Sequence, residues 1–192
     1  MVYTKEFILP DYNIDEIKRY IGARDDKTDF LIDECIKECH QNNVFCCRVC
    51  YKTADVLFCD QDVVIDGYRF GGTLLKSKFS KKTKALLFAA TTGIGIDRLI
   101  SKYSLISPSK ALVFQGIGAE RIECLCDMFC DSKKEEYPHL SSRISPGYSD
   151  FDISFQKHIF EILDCERKIG LHLSDSLMMT PTKSVTAIMA ID

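Results

Sequence analysis

Hydrophobic residues in the first third of the chain recur with helical spacing. The segments IDEIKRYIGA and TDFLIDECIKECHQNN both show it. In the second segment the apolar residues fall on one face, as in a helix that packs against a core; they are Phe30, Leu31, Cys35, Ile36 and Cys39. We therefore predict an N-terminal helical part over residues 1 to about 45.

The pattern then changes to that of strands. VLFC and VVIDGYRF consist largely of β-branched or aromatic residues, and Gly67, Gly71 and Gly72 punctuate them, as is typical of short strands. The apolar run TKALLFAATTG stops at Gly93 and predicts a buried strand. DRLISKYS, from Asp97 onward, returns to helical spacing.

The second half again mixes helices with a strand. Ser107 and Pro108 begin the longest predicted helix, residues 107–130, because serine suits an N-cap and proline the first turn. SKKEEYPHLSS follows as a polar connection, HIFEILDCERKIG predicts one helix that ends at Gly170, and SVTAIMAI predicts a final strand. Since strict βαβ alternation is missing, we expect an α+β fold in a single domain, residues 1–192.

The composition is that of a globular protein and excludes several functions. Hydrophobic residues make up 46% of the chain and charged residues 28%, which argues against disorder. A formal net charge of −3 argues against a nucleic-acid partner, which needs a basic surface. No signal-peptide pattern opens the chain, and no apolar run reaches the roughly 18 residues of a membrane span. We expect a cytoplasmic protein without a membrane partner.

Ten cysteines are many for this length. The pairs Cys35 and Cys39, and Cys126 and Cys130, are each four residues apart on predicted helices, so we predict that they fill the core. The C-x-x-C motif lacks a second pair at zinc-binding distance, and a lone motif is a weak indication. A metal or redox site remains the alternative, with the candidate thiols Cys46, Cys47, Cys50 and Cys59.

Three further features each allow two interpretations. TTGIGIDR (residues 91–98) carries Arg98 where a dinucleotide-binding fingerprint needs its third glycine, so a strand-to-helix turn is favoured over a phosphate site. The lysines between Lys76 and Lys84 form a solvated loop, or a docking patch for an acidic redox partner or a phosphate-bearing ligand. Gly116 and Gly118, inside the longest helix, indicate tight packing or a nearby ligand.

The chain offers no metal-binding or catalytic constellation. Its four histidines do not fall at metal-ligand spacing, and no triad of nucleophile, base and acid can be assembled. We therefore assign no metal ligand and no catalytic residue.

The stretch RISPGYSD (residues 143–150) combines groups that suit a ligand. Arg143 offers a planar fork of donors for a carboxylate or phosphate. Pro146 and Gly147 favour a tight turn that lets backbone approach a ligand, and Tyr148 adds a flat face and a hydroxyl. From these residues alone the stretch is either the lip of a pocket or a structural loop.

R-I-S-P-G-Y resembles the R-x-x-P-G-Y motif of the activation domain of cobalamin-dependent methionine synthase. The resemblance continues through that family's helix and the strand near the C-terminus, and SPSKALVFQGIGAERIECLCD is similar to its long helix. The similarity is greatest to short, stand-alone bacterial forms. Between helix and strand lies the family's S-x-S-x-x-M-x-P-x-x-S-V segment, here Ser174, Ser176, Met179, Pro181, Ser184 and Val185.

The resemblance implies a C-shaped α+β domain with a twisted, mostly antiparallel sheet flanked by helices. It implies binding of S-adenosylmethionine and a role in methionine biosynthesis, as a component of a methyltransferase. The role is to reactivate cob(II)alamin held by a corrinoid protein, such as a split methionine synthase. A flavodoxin- or ferredoxin-type protein supplies the electron, and the cobalamin stays on the partner protein.

The resemblance also implies roles for the residues of the motif. Arg143 would bind the methionyl carboxylate, the backbone around Ser145 and Pro146 would meet the adenosine, Gly147 would complete the site, and Tyr148 would face the corrinoid. The protein would act by positioning, since the sulfonium methyl group and cob(I)alamin are reactive in themselves.

The chain departs from the family after Tyr148, where it has SDFDIS. The acidic partner for the ligand's amino group has no clear equivalent, although Glu135 and Glu136 lie near in the sequence. The family domain also continues beyond the position of Asp192. These departures favour an alternative, a non-catalytic interaction module that only docks on a corrinoid protein.

Overall fold

The computed structural model describes residues 1–23, 28–59 and 62–192. The strands there are β1 (Tyr3–Glu6), β2 (Arg48–Cys59), β3 (Asp62–Ile65), β4 (Tyr68–Phe70), β5 (Lys84–Thr91), β6 (His172–Leu173), β7 (Met179–Thr180) and β8 (Ser184–Ile191). The helices are α1 (Ile14–Ile21), α2 (Asp29–Gln41), α3 (Thr73–Phe79), α4 (Gly95–Ile106), α5 (Pro108–Glu136), α6 (Gln156–Leu163) and α7 (Cys165–Ile169).

The main sheet runs in the order β4–β3–β2–β5–β8, with β1 also paired to β2. Its strand pairings are antiparallel, and β6 and β7 form a separate antiparallel pair. The predicted α+β fold with a mostly antiparallel sheet is therefore confirmed. The predicted strands β5 and β8 lie side by side over eight paired positions, from Lys84 opposite Ile191 to Thr91 opposite Ser184.

Three buried clusters hold these elements together. The first fills the space between the sheet and helices α3, α6 and α7, and the second lies between the sheet and α5. The third joins α1, α2, α4 and α5. Strand β5 contributes alternate residues to the first two clusters, with Leu87 in the first and Phe88 in the second, because successive strand residues point to opposite faces.

Two predicted boundaries of helices were wrong. The polar connection begins later than expected, since α5 continues to Glu136; Lys133 is buried there, bonded to Glu136 at 2.6 Å and placed over the Tyr51 ring. The single helix predicted to end at Gly170 is two helices, because Asp164 takes a left-handed conformation between them. Gly170 itself is the left-handed residue after α7, as predicted.

Two other elements were not foreseen. The lysine-rich segment is not simply a loop, since Lys76 and Lys78 belong to helix α3, which Leu75 and Phe79 anchor in the first cluster. Near the N-terminus, β1 precedes the predicted helices and pairs with β2, where the Tyr3 ring stacks on a neighbouring tyrosine ring at 5.5 Å. Cross-strand pairing with a distant segment decides this element, and local spacing does not reveal it.

Glycines in the longest helix and in TTGIGIDR allow close packing of neighbouring elements. A Cβ on Gly116 would lie 2.5 Å from the Ile21 side chain of α1. A Cβ on Gly95, in TTGIGIDR, would lie 2.2 Å from the Val44 carbonyl oxygen. Gly93 adopts a φ of 87°, a left-handed conformation that glycine allows. This geometry supports the interpretation of residues 91–98 as a strand-to-helix turn.

The cysteines predicted to fill the core are buried, and all ten thiols are free. Burial raises the pKa of Cys35 and Cys39 to about 12, so both remain protonated thiols. The two cysteines of the C-x-x-C motif belong to different clusters, Cys47 to the second and Cys50 to the first. Their side chains therefore lie on opposite faces of the sheet, and the motif cannot close on one metal ion.

Within the described residues, no cluster of three or more histidine, cysteine, aspartate or glutamate side chains has the arrangement of a metal site. No helix in this part of the chain combines the length and the apolar character that a membrane span needs.

We predict that Gly95→Ala lowers the free energy of unfolding by about 1–3 kcal/mol, because the new methyl group would overlap backbone that cannot rotate away. Gly71→Ala is the matched control, since its Cβ would meet the nearest atom at 3.5 Å, an ordinary contact. Urea unfolding of both variants measures the difference. Equal stability of the two variants would contradict the assigned role of Gly95.

Candidate functional site

Residues 141–144 run along the free side of β8. The Ser141 N–H donates to the Ala190 carbonyl at 2.9 Å, and Ile144 and Ile188 exchange two backbone hydrogen bonds at 3.0 and 2.8 Å. The side chain of Ile144 is buried in the first cluster. These bonds fix the backbone on both sides of Arg143 to the edge of the main sheet.

The next four residues form a type II turn. Pro146 and Gly147 take its two central positions, Gly147 has a φ of 91°, and the Tyr148 N–H donates to the Ser145 carbonyl at 3.2 Å. This turn type favours proline first and needs a residue with positive φ second. Its closure leaves the side chain of Tyr148 67% exposed at the tip of the loop, whereas Pro146 is buried.

Asp150 ties this loop to helix α3. Its carboxylate accepts hydrogen bonds from the Thr73 N–H and hydroxyl, both at 2.5 Å, and from the Leu74 N–H at 3.2 Å. The bond from the Thr73 hydroxyl, followed by that from its N–H, holds the pKa of the Asp150 carboxyl below its usual range. Asp152 accepts from the Ser154 N–H at 2.8 Å in the same way. The stretch SDFDIS therefore has a structural role here.

A groove of about 560 Å³ opens between this loop and α3. Lys78 was not predicted as a site residue, yet its ammonium donates to the Ser142 hydroxyl at 3.0 Å beside the groove. Burial lowers the pKa of the Lys78 ammonium. Of the five predicted site residues, Pro146 and Gly147 shape the turn without lining the groove; its lining consists of Leu74, Lys78, Ser142, Arg143, Ile144, Ser145 and Tyr148.

Arg143 points toward α5 and meets two acids there. Its guanidinium forms an ion pair with Glu123 and lies 3.7 Å from the Asp127 carboxylate. No acidic partner for the ligand's amino group could be assigned from the sequence; of the two acids near the motif, Glu135 and Glu136, the latter pairs with Lys133. Glu123 and Asp127 lie 13 and 9 residues before the end of α5 at Glu136, so proximity along the chain could not identify them.

Glu123 and Asp127 also border a second, strongly acidic groove. It has a volume of about 670 Å³ and lies between α1 and α5. Of the described residues that line it, only Arg19 is a cation, and it is paired with Glu16. Arg143 therefore stands at the junction of a groove with a positive wall and a groove with negative walls, which is lined by the acids Asp11, Glu16, Glu120, Glu123, Asp127 and Asp131.

The S-x-S-x-x-M-x-P-x-x-S-V segment contributes to the β6–β7 hairpin and links the start of β8 to β5 and α4 through side-chain hydrogen bonds. The Ser174 and Ser176 hydroxyls lie 2.9 Å apart inside the β6–β7 hairpin. The Ser184 hydroxyl donates to that of Thr91 at 2.9 Å, and the Thr182 hydroxyl donates to Asp97 at 2.6 Å. The segment thus holds the start of β8 against the end of β5 and the start of α4.

Comparison with known proteins identifies the fold. Residues 130–191 match the family model of the vitamin B12-dependent methionine synthase activation domain. A solved structure, the MetH reactivation domain bound to AdoHcy, superposes with a TM-score of 0.74 at 14% identity. The match covers 100% of this chain and 78% of that one. The fold is that of a methionine synthase reactivation domain.

The resemblance predicted from the sequence is confirmed by both comparisons. The reactivation-domain fold accounts for the whole described chain, including the N-terminal part where the sequence similarity is weak. No curated protein matches the chain. The roles of the five site residues stay predictions.

We predict that Asp150→Asn destabilises the protein at neutral pH, because the amide loses an acceptor and the charge at the start of α3. The pKa of Asp150 is lowered in the folded state, so its stabilising contribution is complete above the ordinary pKa and disappears as the pH falls through the lowered value. Urea unfolding at neutral and at acid pH should therefore show a stability gap between wild type and variant that narrows as the pH falls below the ordinary aspartate pKa.

The matched control is Glu135→Gln, which changes an exposed carboxylate near the end of α5. It should behave like the wild type at both pH values. A gap for Asp150→Asn that persists unchanged in acid would show that the carboxylate charge does not anchor the loop.

Proposed function

We propose that this protein binds S-adenosylmethionine beside Arg143–Tyr148 and supports reductive methylation of cob(II)alamin on a corrinoid methyltransferase such as a split methionine synthase. The observation that carries the proposal is the placement of the motif. Its turn borders an open groove, in a fold shared with a reactivation domain that was solved with AdoHcy.

The groove is suited to a ligand of this kind. Its volume of about 560 Å³ falls within the usual range for small-molecule sites. Arg143 and the nearby acids offer both signs of charge for an amino-acid group. The backbone at Ser145 lines the groove and is held by the turn, which provides a rigid edge for the adenosine.

The protein would act by holding its ligand in position. S-adenosylmethionine brings an activated methyl group, and the reduced corrinoid supplies the nucleophile. The turn, the Asp150 anchor and the bonds to β8 would hold the sulfonium ligand in one orientation. A fixed approach of two reactants can supply much of the rate enhancement without a catalytic side chain.

The partners would meet the protein at the tip of the motif loop. Tyr148 and Ile153 are 67% and 43% exposed there, and Ile153 lies beside Gly147 of the same turn; large exposed apolar side chains on one loop suit an interaction site. We propose that the corrinoid protein docks on this surface, with the flat face of Tyr148 toward the corrinoid. A flavodoxin- or ferredoxin-type reductant would supply the electron.

We predict that Arg143→Ala weakens S-adenosylmethionine binding by about 2 kcal/mol or more, as expected for a lost charge-assisted contact. Isothermal titration calorimetry measures this. Arg69→Ala is the matched control, since Arg69 is exposed, pairs with Asp62 and does not line the groove. Absence of binding by the wild type, with and without a corrinoid protein, would refute the proposed function.

We also predict methyl transfer from labelled S-adenosylmethionine to a cob(II)alamin-loaded partner under reducing conditions. Tyr148→Phe should retain most of the transfer because it keeps the aromatic face, whereas Tyr148→Ala should reduce it about tenfold or more at saturating ligand. Arg143→Ala should instead raise the ligand concentration required. If the wild type docks on the corrinoid protein but neither binds the ligand nor transfers the methyl group, the interaction-module alternative is correct.

A further inference from the structure

We propose that Lys78 is a carboxylate-binding residue of the groove and selects ligands that carry a free amino-acid carboxylate. The inference rests on the proposed function and adds to it a residue that lies outside the R-x-x-P-G-Y motif, 65 positions before Arg143. It depends on the position of Lys78, on its lack of an acidic partner and on the charges of the ligand.

The fold places the Lys78 ammonium at the groove and restricts its movement. Helix α3 is anchored at its start by Asp150 of the motif loop and along its length by the buried side chains of Leu75 and Phe79. The ammonium donates to the Ser142 hydroxyl at 3.0 Å, and both residues line the groove. Lys78 is therefore tied to both walls of the same cleft.

Among the described residues no carboxylate lies within ion-pair distance of Lys78. The neighbouring Lys82, in contrast, pairs with Asp192 at 2.5 Å. Lys78 is half-buried, and burial lowers its pKa. An ammonium that has lost part of its hydration without gaining a counter-ion can gain from an anionic ligand.

Arg143, the other cation that lines the groove, does have counter-ions. Arg143 already pairs with Glu123 and lies near Asp127, so its charge is offset by two acids. S-adenosylmethionine carries one anionic group, its carboxylate, and its sulfonium and ammonium groups are both cationic. An unpaired ammonium in the groove can therefore attract only the carboxylate of this ligand. We infer that Lys78 supplies the uncompensated positive charge at the carboxylate, beside Arg143, and that Glu123 and Asp127 face the ammonium side.

The test compares two ligands that differ in the amino-acid group. S-adenosylhomocysteine has the carboxylate and no sulfonium charge, and 5′-methylthioadenosine lacks the whole amino-acid group. Calorimetry should show that Lys78→Met weakens binding of S-adenosylhomocysteine by about tenfold to a hundredfold, the range for a hydrogen bond to a charged group. Binding of 5′-methylthioadenosine should stay within about twofold of the wild type, because methionine preserves the apolar stem.

Lys81→Met is the matched control. It removes the same charge two positions after α3, at an exposed site outside the groove, and should leave the binding of both ligands unchanged. Lys78→Arg should retain most of the affinity for S-adenosylhomocysteine. Thermal unfolding of each variant checks that the fold is intact.

The outcomes separate the two proposals. If the wild type binds S-adenosylhomocysteine and Lys78→Met binds it equally well, the role of Lys78 is refuted and the proposed function stands. The same holds if the substitution weakens both ligands alike, since the effect is then not on the carboxylate. If the wild type binds neither S-adenosylmethionine nor S-adenosylhomocysteine, both proposals fail together.

Discussion

Strand β5 is buried on both faces, and the rest of the structure depends on the apolar packing around it. Its residues from Ala85 to Thr91 are excluded from solvent. Leu87 packs toward α3, α6 and α7, whereas Phe88 packs toward α5 with its ring 4.8 Å from that of Phe129. Burying one such side chain contributes about 1.5–3 kcal/mol. Because β8 pairs with β5 and residues 141–144 pair with β8, this packing also fixes the position of the groove.

Much of the fold could be predicted because its strongest patterns are local. The continuous apolar run of β5, the alternating β-branched residues of β8 and the glycine after α7 each determine an element within a few residues. The elements that were predicted wrongly or missed depend instead on contacts between distant segments. The last turn of α5 persists because Lys133 packs on Tyr51, and β1 exists because it pairs with β2. Neither contact can be deduced from nearby residues, so local spacing gave the wrong boundary or no element.

The candidate site also has one part that local sequence predicts and another part that depends on contacts between distant segments. The Pro146–Gly147 turn follows from the conformational preferences of these two residues, and its exposed tip follows from the turn. In contrast, Lys78 and Glu123 are brought to the motif from α3 and α5. A sequence motif marks the residues that are contiguous along the chain, and the charges that complete a site come from elsewhere. The lysine-rich segment was recognised as unusual, but its place beside the motif depends on Asp150 and the start of α3.

Positive and negative side chains lie on different sides of the groove, and together they produce an electric field that acts on any bound ligand. The acids of α5 lie beyond Arg143, and Lys78 lies on the α3 wall. Two opposite charges about 4 Å apart attract by roughly 1–4 kcal/mol near a protein surface, before desolvation is subtracted. That range is sufficient to orient a ligand but modest as a source of affinity. An amino-acid group carries one charge of each sign, so it can be attracted by both walls. A simple anion is repelled by the acids, and a simple cation is repelled by Lys78. The arrangement therefore favours a zwitterion held in one orientation, and a fixed orientation of the methyl donor is what a reaction between two already reactive partners requires.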